Sequence, residues 1–299
     1  PTPMDNMRGA ILMVVAMLGF AIEDSIIKLM SATISSGQIL ISLGLGGAGV
    51  FAVIAWIKGE QPFGLWMLRG NSGLRALCEG VAALGFVTSL ALVPISLVTT
   101  IIQASPLLVT LGAALVFKEK VGPRRWLAIL VGLVGVLIVL RPFGESFEAA
   151  ALFAVLGVVA MSARDLATRK IKKNISTLQL SVIGFLATVP AGVVSLILAG
   201  DRPVMPDGQT SLLLLCAVGI GVPALYCIIA AMRIGEISFV TPFRYSRIIF
   251  GLLSGMIIFQ ETLDGYTLLG AAIIVTSGTY TLLREAHLRR TSKLAKTPL

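Results

Sequence analysis

Ten apolar runs separated by short polar breaks cover nearly the whole chain, and they leave one fold class open. They fall at roughly 8–30, 36–57, 73–93, 97–117, 125–140, 148–169, 177–199, 211–232, 237–259 and 266–284. Each has about the 20 residues that a helix needs to cross a bilayer. The breaks carry loop chemistry: Lys58 to Asn71 with Pro62, Lys118 to Arg125 with Gly122-Pro123, and Gly200 to Gly208 with Pro203 and Pro206. Continuous runs of this length do not fit barrel strands, which alternate over about 10 residues. Ten spans within 299 residues leave no room for a soluble catalytic or receptor domain. Only 13% of residues are charged, against about 25% in soluble domains. The three cysteines, Cys78, Cys216 and Cys227, all sit inside apolar runs, which argues against a disulfide framework. The first run carries Glu23, Asp24 and Lys28 and lacks a cleavage pattern, so it reads as a span and not as a signal peptide. The expected fold is an all-α integral membrane protein with ten transmembrane helices.

Lys and Arg set the orientation. With a cytoplasmic N-terminus, the inside segments hold Arg8, Lys58, Arg69, Arg75, Lys118, Lys120, Arg124, Arg125, Arg169, Lys170, Lys172, Lys173, Arg233, Arg284, Arg289, Arg290, Lys293 and Lys296, 18 of the 24 basic residues. The outside loops hold only Arg141 and Arg202. Both termini are expected in the cytoplasm, and the net charge of +9 is explained by the lipid surface without nucleic acid.

The chain repeats itself. At a shift of 142, Ile95-Ser96-Leu97-Val98-Thr99 falls on Ile237-Ser238-Phe239-Val240-Thr241, and Phe117-Lys118-Glu119 on Phe259-Gln260-Glu261. At a shift of 141, Asp24 falls on Asp165, Lys28 on Arg169, Ile34-Ser35 on Ile175-Ser176 and Gln38 on Gln179. The expected units are residues 1–141 (spans one to five) and 142–299 (spans six to ten with a basic tail). Five is odd, so the second unit enters the membrane in the opposite sense. That is an inverted repeat, suited to alternating access around a central cavity.

Ionisable groups within spans cost several kcal/mol and are functional candidates. Here they are Glu23, Asp24, Lys28, Glu79, Arg164, Asp165, Arg244 and Arg247. Asp24 and Lys28 are four apart, a spacing that suits pairing on one helix face, as are Asp165 and Arg169. Arg244 and Arg247 share a face of span nine, and their repeat partners are uncharged Ile102 and Ser105. They either bind a substrate anion or bridge Glu79 and Asp165 to close the inner side. Glu79, Arg164, Asp165, Arg244 and Arg247 are the expected inner gate, and Glu23, Asp24 and Lys28 the outer one. Tyr226 and Tyr245 are candidates either to contact a ligand or, as is commoner, to pack between helices, and the apolar wall is expected near Phe20, Met161 and Phe243. Pro106, Pro223 and Pro242 mark bends or hinges within spans. The single histidine, His287, lies in the tail, so neither a histidine metal site nor a Ser-His triad is expected, and no cofactor is implied.

Two five-span halves, each with a glutamate after its fourth span (Glu119, Glu261) and a glycine-bearing last span (Gly132, Gly135; Gly270, Gly278), resemble the drug/metabolite transporter superfamily in its EamA-type branch. Cys78-Glu79 and Gln103-Ala104-Ser105-Pro106 look most like the YddG-type aromatic amino-acid exporters. The resemblance implies a ten-helix basket whose cavity positions include Cys78, Gln103, Ser105 and Met161. It also implies export of small metabolites, foremost amino acids, across a bacterial inner membrane, with no oligomer required. Two acids against three cations at the inner end, and two acids against one at the outer, fit a zwitterion. The alternatives are a carrier of another solute, such as a vitamin, nucleoside derivative or cationic drug, and a lipid-modifying membrane enzyme, which would need clustered His or Asp.

Overall fold

The computed structural model describes residues 3–118, 122–142, 148–171, 175–235 and 237–294, with side chains at all of these except 3, 233, 237, 238 and 285–294. Of the residues singled out above, Glu119, Lys120, Lys172, Lys173 and Lys296 lie outside the described residues, as do the side chains of Arg233, Ile237, Ser238, His287, Arg289, Arg290 and Lys293. The described residues form helices and no strand. The first three spans are α1 (Pro3–Met30), α2 (Ser36–Ile57) and α3 (Gly70–Leu92). The fourth is broken into α4 (Ile95–Ile102) and α5 (Ser105–Val116). Next come α6 (Pro123–Leu140), α7 (Leu152–Thr168), α8 (Thr177–Ala199) and α9 (Gly208–Ile234). The ninth span consists of α10 (Ile237–Val240), a 3-10 turn Thr241–Tyr245 and α11 (Ser246–Ile257), and α12 (Gly265–Leu294) is the tenth. Among the described residues nine segments are long and apolar enough to cross a membrane. The ninth span is missing from that set because its turn interrupts the helix.

Helix starts follow from the residues the sequence supplies. The Ser35 hydroxyl accepts the Gln38 N–H at 3.4 Å, and the Ser176 hydroxyl accepts the Gln179 N–H at 3.1 Å. These two caps are repeat equivalents, and their glutamines make equivalent second contacts. Gln38 accepts from the Val204 N–H at 3.0 Å and donates to the Val204 carbonyl. Gln179 donates to the Gln61 carbonyl at 2.9 Å. The helix that opens the second span of each half thus ties down the connection that follows the second span of the other half. The backbone repeats as well: Lys118 and Gln260, 142 apart, both adopt φ 53°.

Across the halves α1 packs on α9, α2 on α8, α3 on α7, α4 on α11 and α6 on α12. Exchanging each span for its repeat mate leaves this set of pairings unchanged, as a two-fold relation between two helical repeats requires. Water supplies no drive for helix association in lipid, so close backbone approach through small residues takes its place. A Cβ on Gly37 would stand 2.6 Å from the Gly192 carbonyl oxygen, and one on Gly192 2.5 Å from that of Gly37, at the α2–α8 contact. Gly85 and Gly157 do the same for α3 and α7, and Gly135 and Gly270 for α6 and α12. Large apolar side chains such as Trp56, Leu198 and Leu215 stand on the outer surface, where hydrocarbon is the solvent. The interior is close-packed, with Met13, Met30, Ile39, Leu90, Ile101 and Leu107 fully buried.

Candidate functional site

Both helix breaks lie at the centre of the bundle, and proline explains each. Pro106 has no N–H to give the Ile102 carbonyl, so α4 stops at Ile102 and α5 restarts at Ser105. Pro242 sits in the first turn of the Thr241–Tyr245 segment. Non-helical backbone survives at membrane depth only where protein or a cavity satisfies it. Here Gln103 Nε2 donates to the Arg244 carbonyl at 3.0 Å, so one break satisfies the other. Tyr245 is the repeat equivalent of Gln103 and Arg244 that of Ile102, and all four line one cavity between the breaks. Ser105, Pro106 and Arg247 complete its walls from the broken spans, Met17 and Phe20 from α1, Met161 from α7 and Ile228 from α9. Ser105 and Ser162 face each other at 3.4 Å between hydroxyl oxygens. The cavity holds about 60 Å³. Small-molecule sites run from about 300 Å³ upwards, so this is a contracted form of any site for a metabolite.

The charged side chains fall into layers. Towards the N-terminal end of α3, Arg164 of α7 bonds Glu79 of α3 at 2.9 Å and its neighbour Asp165 at 2.8 Å. Arg75 reaches Glu79 at 3.7 Å, donates to Thr168 Oγ1 at 3.1 Å and to the Leu180 carbonyl at 3.1 Å, and so joins α3, α7 and α8. At the other end of α3, about 16 Å from Glu79 at 1.5 Å per residue, Lys28 of α1 donates to the Leu90 and Val93 carbonyls at 3.0 and 2.7 Å. Lys28 also lies over the Phe259 ring. The Glu261 carboxylate, just beyond α11, accepts from the N–H groups of Ile95 and Ser96 at 2.7 and 3.1 Å and from the Ser96 hydroxyl at 2.7 Å. It caps the start of α4, where an acid suits the helix dipole.

Between these layers Arg247 forms a bidentate pair with Asp24, at 2.7 and 2.8 Å from Nη2 to the two carboxylate oxygens. Its guanidinium lies between the Phe20 and Phe86 rings, 5.3 and 5.5 Å from their centres. Arg244 has no side-chain hydrogen bond or ion pair among the described residues, and it faces the cavity. Glu23 has none either.

Several sequence expectations change. Arg247 does not bridge to Glu79 or Asp165. It pairs with Asp24, which had been placed in the opposite gate, because the ninth span's break brings its middle against α1. Lys28 does not pair with Asp24; at the end of α1 it is within reach of carbonyls that α3 leaves open at its C-terminus. Glu79 and Cys78 do not line the cavity. Glu79 instead belongs to the Arg164 cluster. Tyr226 is 70% exposed on the outer face of α9, away from the cavity. Phe243 is also exposed and outside the lining. Phe20, Gln103, Ser105, Met161, Arg244, Tyr245 and Arg247 are brought together around it. Sequence reasoning missed Met17, Ile102 and Ile228. For Ile102 the signal was present, since the repeat register equates it with Arg244.

This architecture has relatives. The EamA-like transporter family matches residues 7–141 and again 148–283, once for each half. A riboflavin transporter of Vibrio cholerae serotype O1 is 30% identical over 280 residues, covering 91% of each chain. A riboflavin transporter of Rhizobium johnstonii is 29% identical, covering 94% of this chain and 93% of its own. An S-adenosylmethionine uptake transporter of Rickettsia felis is 26% identical over 77% of this chain and 74% of its own. One solved crystal structure, 18% identical, superposes with a TM-score of 0.62 over 96% of this chain and 99% of its own, which shows a shared fold. Two family matches that together span nearly the whole chain, on ten spans arranged as two helical repeats, place this protein in the EamA-like transporter family.

Proposed function

We propose that the chain is a secondary carrier of a heteroaromatic metabolite of the riboflavin class, moved by alternating access through the cavity between the two broken spans. The observation that carries the reading is the cavity's chemistry: an unpaired guanidinium, Arg244, beside an amide, Gln103, with Phe20, Met17 and Met161 as apolar flanks. A flavin ring is neutral and presents two carbonyl oxygens and ring nitrogens on one edge and a methylated apolar edge on the other. Arg244 supplies donors for the first, and the aromatic and thioether side chains suit the second. The ribityl hydroxyls suit Gln103 and Ser105.

The relatives' names support a vitamin or nucleoside-type solute over the amino acids expected from the sequence. S-adenosylmethionine is the second reading. Its carboxylate suits Arg244, but its sulfonium and ammonium are two cations, and among the described residues no acid lines the cavity to meet them, Asp24 being bonded to Arg247. The charge arrangement therefore favours the flavin. In this reading the unit boundary lies near residues 141–142, both termini are cytoplasmic, and the host membrane is a bacterial inner membrane. The Arg75–Glu79–Arg164–Asp165 cluster then closes the cytoplasmic side, and the Lys28 and Glu261 contacts close the outer side.

The test is uptake into proteoliposomes of riboflavin, S-adenosylmethionine and a panel of neutral amino acids. Saturable riboflavin uptake that excess amino acids do not inhibit is expected. Arg244→Gln should weaken flavin binding about 10-fold or more, the scale of one charge-assisted hydrogen bond. Transport of amino acids without flavin binding would overturn the reading.

A further inference from the structure

Glu23, an acid on the α1–α9 contact, is given no role by the geometry above. It is half-buried, and its carboxylate lies against the backbone of α9: a Cβ built on Gly221 would stand 2.6 Å from Oε1 and 2.9 Å from Oε2. A side chain at 221 would displace the carboxylate from this position. No donor reaches it among the described residues.

The charged groups around it are all accounted for. On α1, Asp24 is bonded to Arg247 of α11, and Lys28 to the carbonyls at the end of α3. On α3, Arg75 and Glu79 belong to the cluster with Arg164. Arg244, on the turn between α10 and α11, faces the cavity. Helices α4 and α10 carry no charge, and α9 from Gly208 to Met232 has no Asp, Glu, Lys, Arg or His, only Cys216, Tyr226 and Cys227 as titratable groups. Arg247 is the cation near Glu23, and its fork is already filled by Asp24.

An ionised carboxylate within a span and without a hydrogen-bond donor is costly, whereas a neutral carboxyl group needs only one acceptor.

We propose that Glu23 is a proton-binding site that couples transport to a proton gradient. Resting on the reading of the chain as a secondary carrier, the step is a simple transfer. When α1 and α9 separate, water reaches Glu23 and its carboxylate takes a proton from the more acidic compartment at one carboxylate oxygen. The neutral acid then allows the helices to close, and the proton leaves to water on the opposite side once that side opens. An unprotonated Glu23 holds the empty, contracted form off, because closing would strip an unpaired charge of its water; the empty carrier therefore crosses with a proton, and the crossing without one is made with substrate in the widened cavity, so proton and substrate move in opposite directions.

The experiment compares wild type with Glu23→Gln in proteoliposomes, using riboflavin uptake with and without an acidic lumen, together with riboflavin counterflow at equal pH. Wild type should be accelerated several-fold by the gradient. Glu23→Gln, a fixed mimic of the neutral acid, should lose the acceleration and keep counterflow. Acceleration that survives in Glu23→Gln, or that is absent in wild type, overturns the proposal. Infrared spectra of ligand-free protein in vesicles give a readout that needs no substrate. A protonated-carboxyl band at neutral pH should be present in wild type and missing in Glu23→Gln. If the band behaves so but no flavin is carried, the substrate reading falls and the proton site stands; flavin transport without the band sinks the proton site alone. Should Glu23→Gln fail to fold, Glu23→Asp should keep the acceleration with a displaced pH profile, and an undisplaced profile would contradict the assignment.

Discussion

Asp24 and Arg247 are 223 residues apart and form a doubly bonded ion pair in the middle of the bundle. Taking either partner away strands a charge in a low-dielectric interior, at a cost of about 3–5 kcal/mol. Asp24→Asn and Arg247→Gln should therefore each lower the thermal midpoint sharply, while the double variant falls by much less than the two effects summed. A double-mutant cycle on purified protein in lipid checks this, and additive losses would mean that the two side chains are not partners. The sequence carried the candidates but not the pairing. Helical spacing relates residues three or four apart, so it offered Asp24–Lys28, and it says nothing of a partner eight spans away. The repeat register was more informative. It equated Gln103 with Tyr245 and Ile102 with Arg244, all of which line the cavity. Tyr226 and Cys78 were misplaced because a polar side chain on an apolar helix gives no sign of which face it occupies.

At the level of elements, the spans were legible nearly to the residue where a polar connection bounded them. The second and seventh, expected at 36–57 and 177–199, are α2 (Ser36–Ile57) and α8 (Thr177–Ala199), each opened by a serine cap. The breaks in the fourth and ninth spans were visible only as Pro106 and Pro242, which mark bends without showing that the two meet. Glycine contacts between the halves make a quantitative test. Gly192→Ala would drive a Cβ to 2.5 Å from the Gly37 carbonyl oxygen, and a backbone group cannot step aside as a flexible side chain can. It should destabilise the protein by about 1–3 kcal/mol through separation of α2 and α8. Gly49→Ala, on the same α2, has nothing within 4 Å of the new Cβ and should be neutral or slightly stabilising, alanine being the better helix former by about 1 kcal/mol. Thermal unfolding of both variants under one condition decides it; equal midpoints would remove the glycine contact as the packing device.

For the whole molecule, the exchange-invariant pairing of spans and the repeated caps make the two halves structural equivalents, and the Lys and Arg distribution predicts which ends face the cytoplasm. Cysteines introduced at Gly59 and Arg202, in a background without Cys78, Cys216 and Cys227, should react with a membrane-impermeant reagent from opposite sides, Arg202→Cys from outside in intact cells. Labelling of both from one side would contradict the inverted arrangement. Substrate class was the least legible property, because an apolar wall with few polar groups fits many solutes and the sequence-level charge count assumed partners that the fold rearranges. The most direct measurement is the structure of the protein with riboflavin bound in lipid. The flavin should lie between Gln103 and Arg244 at the two breaks, in a cavity opened from about 60 Å³ to the few hundred Å³ that such a ligand needs. A flavin seated elsewhere, with the space between the breaks still contracted, would contradict transport through this site.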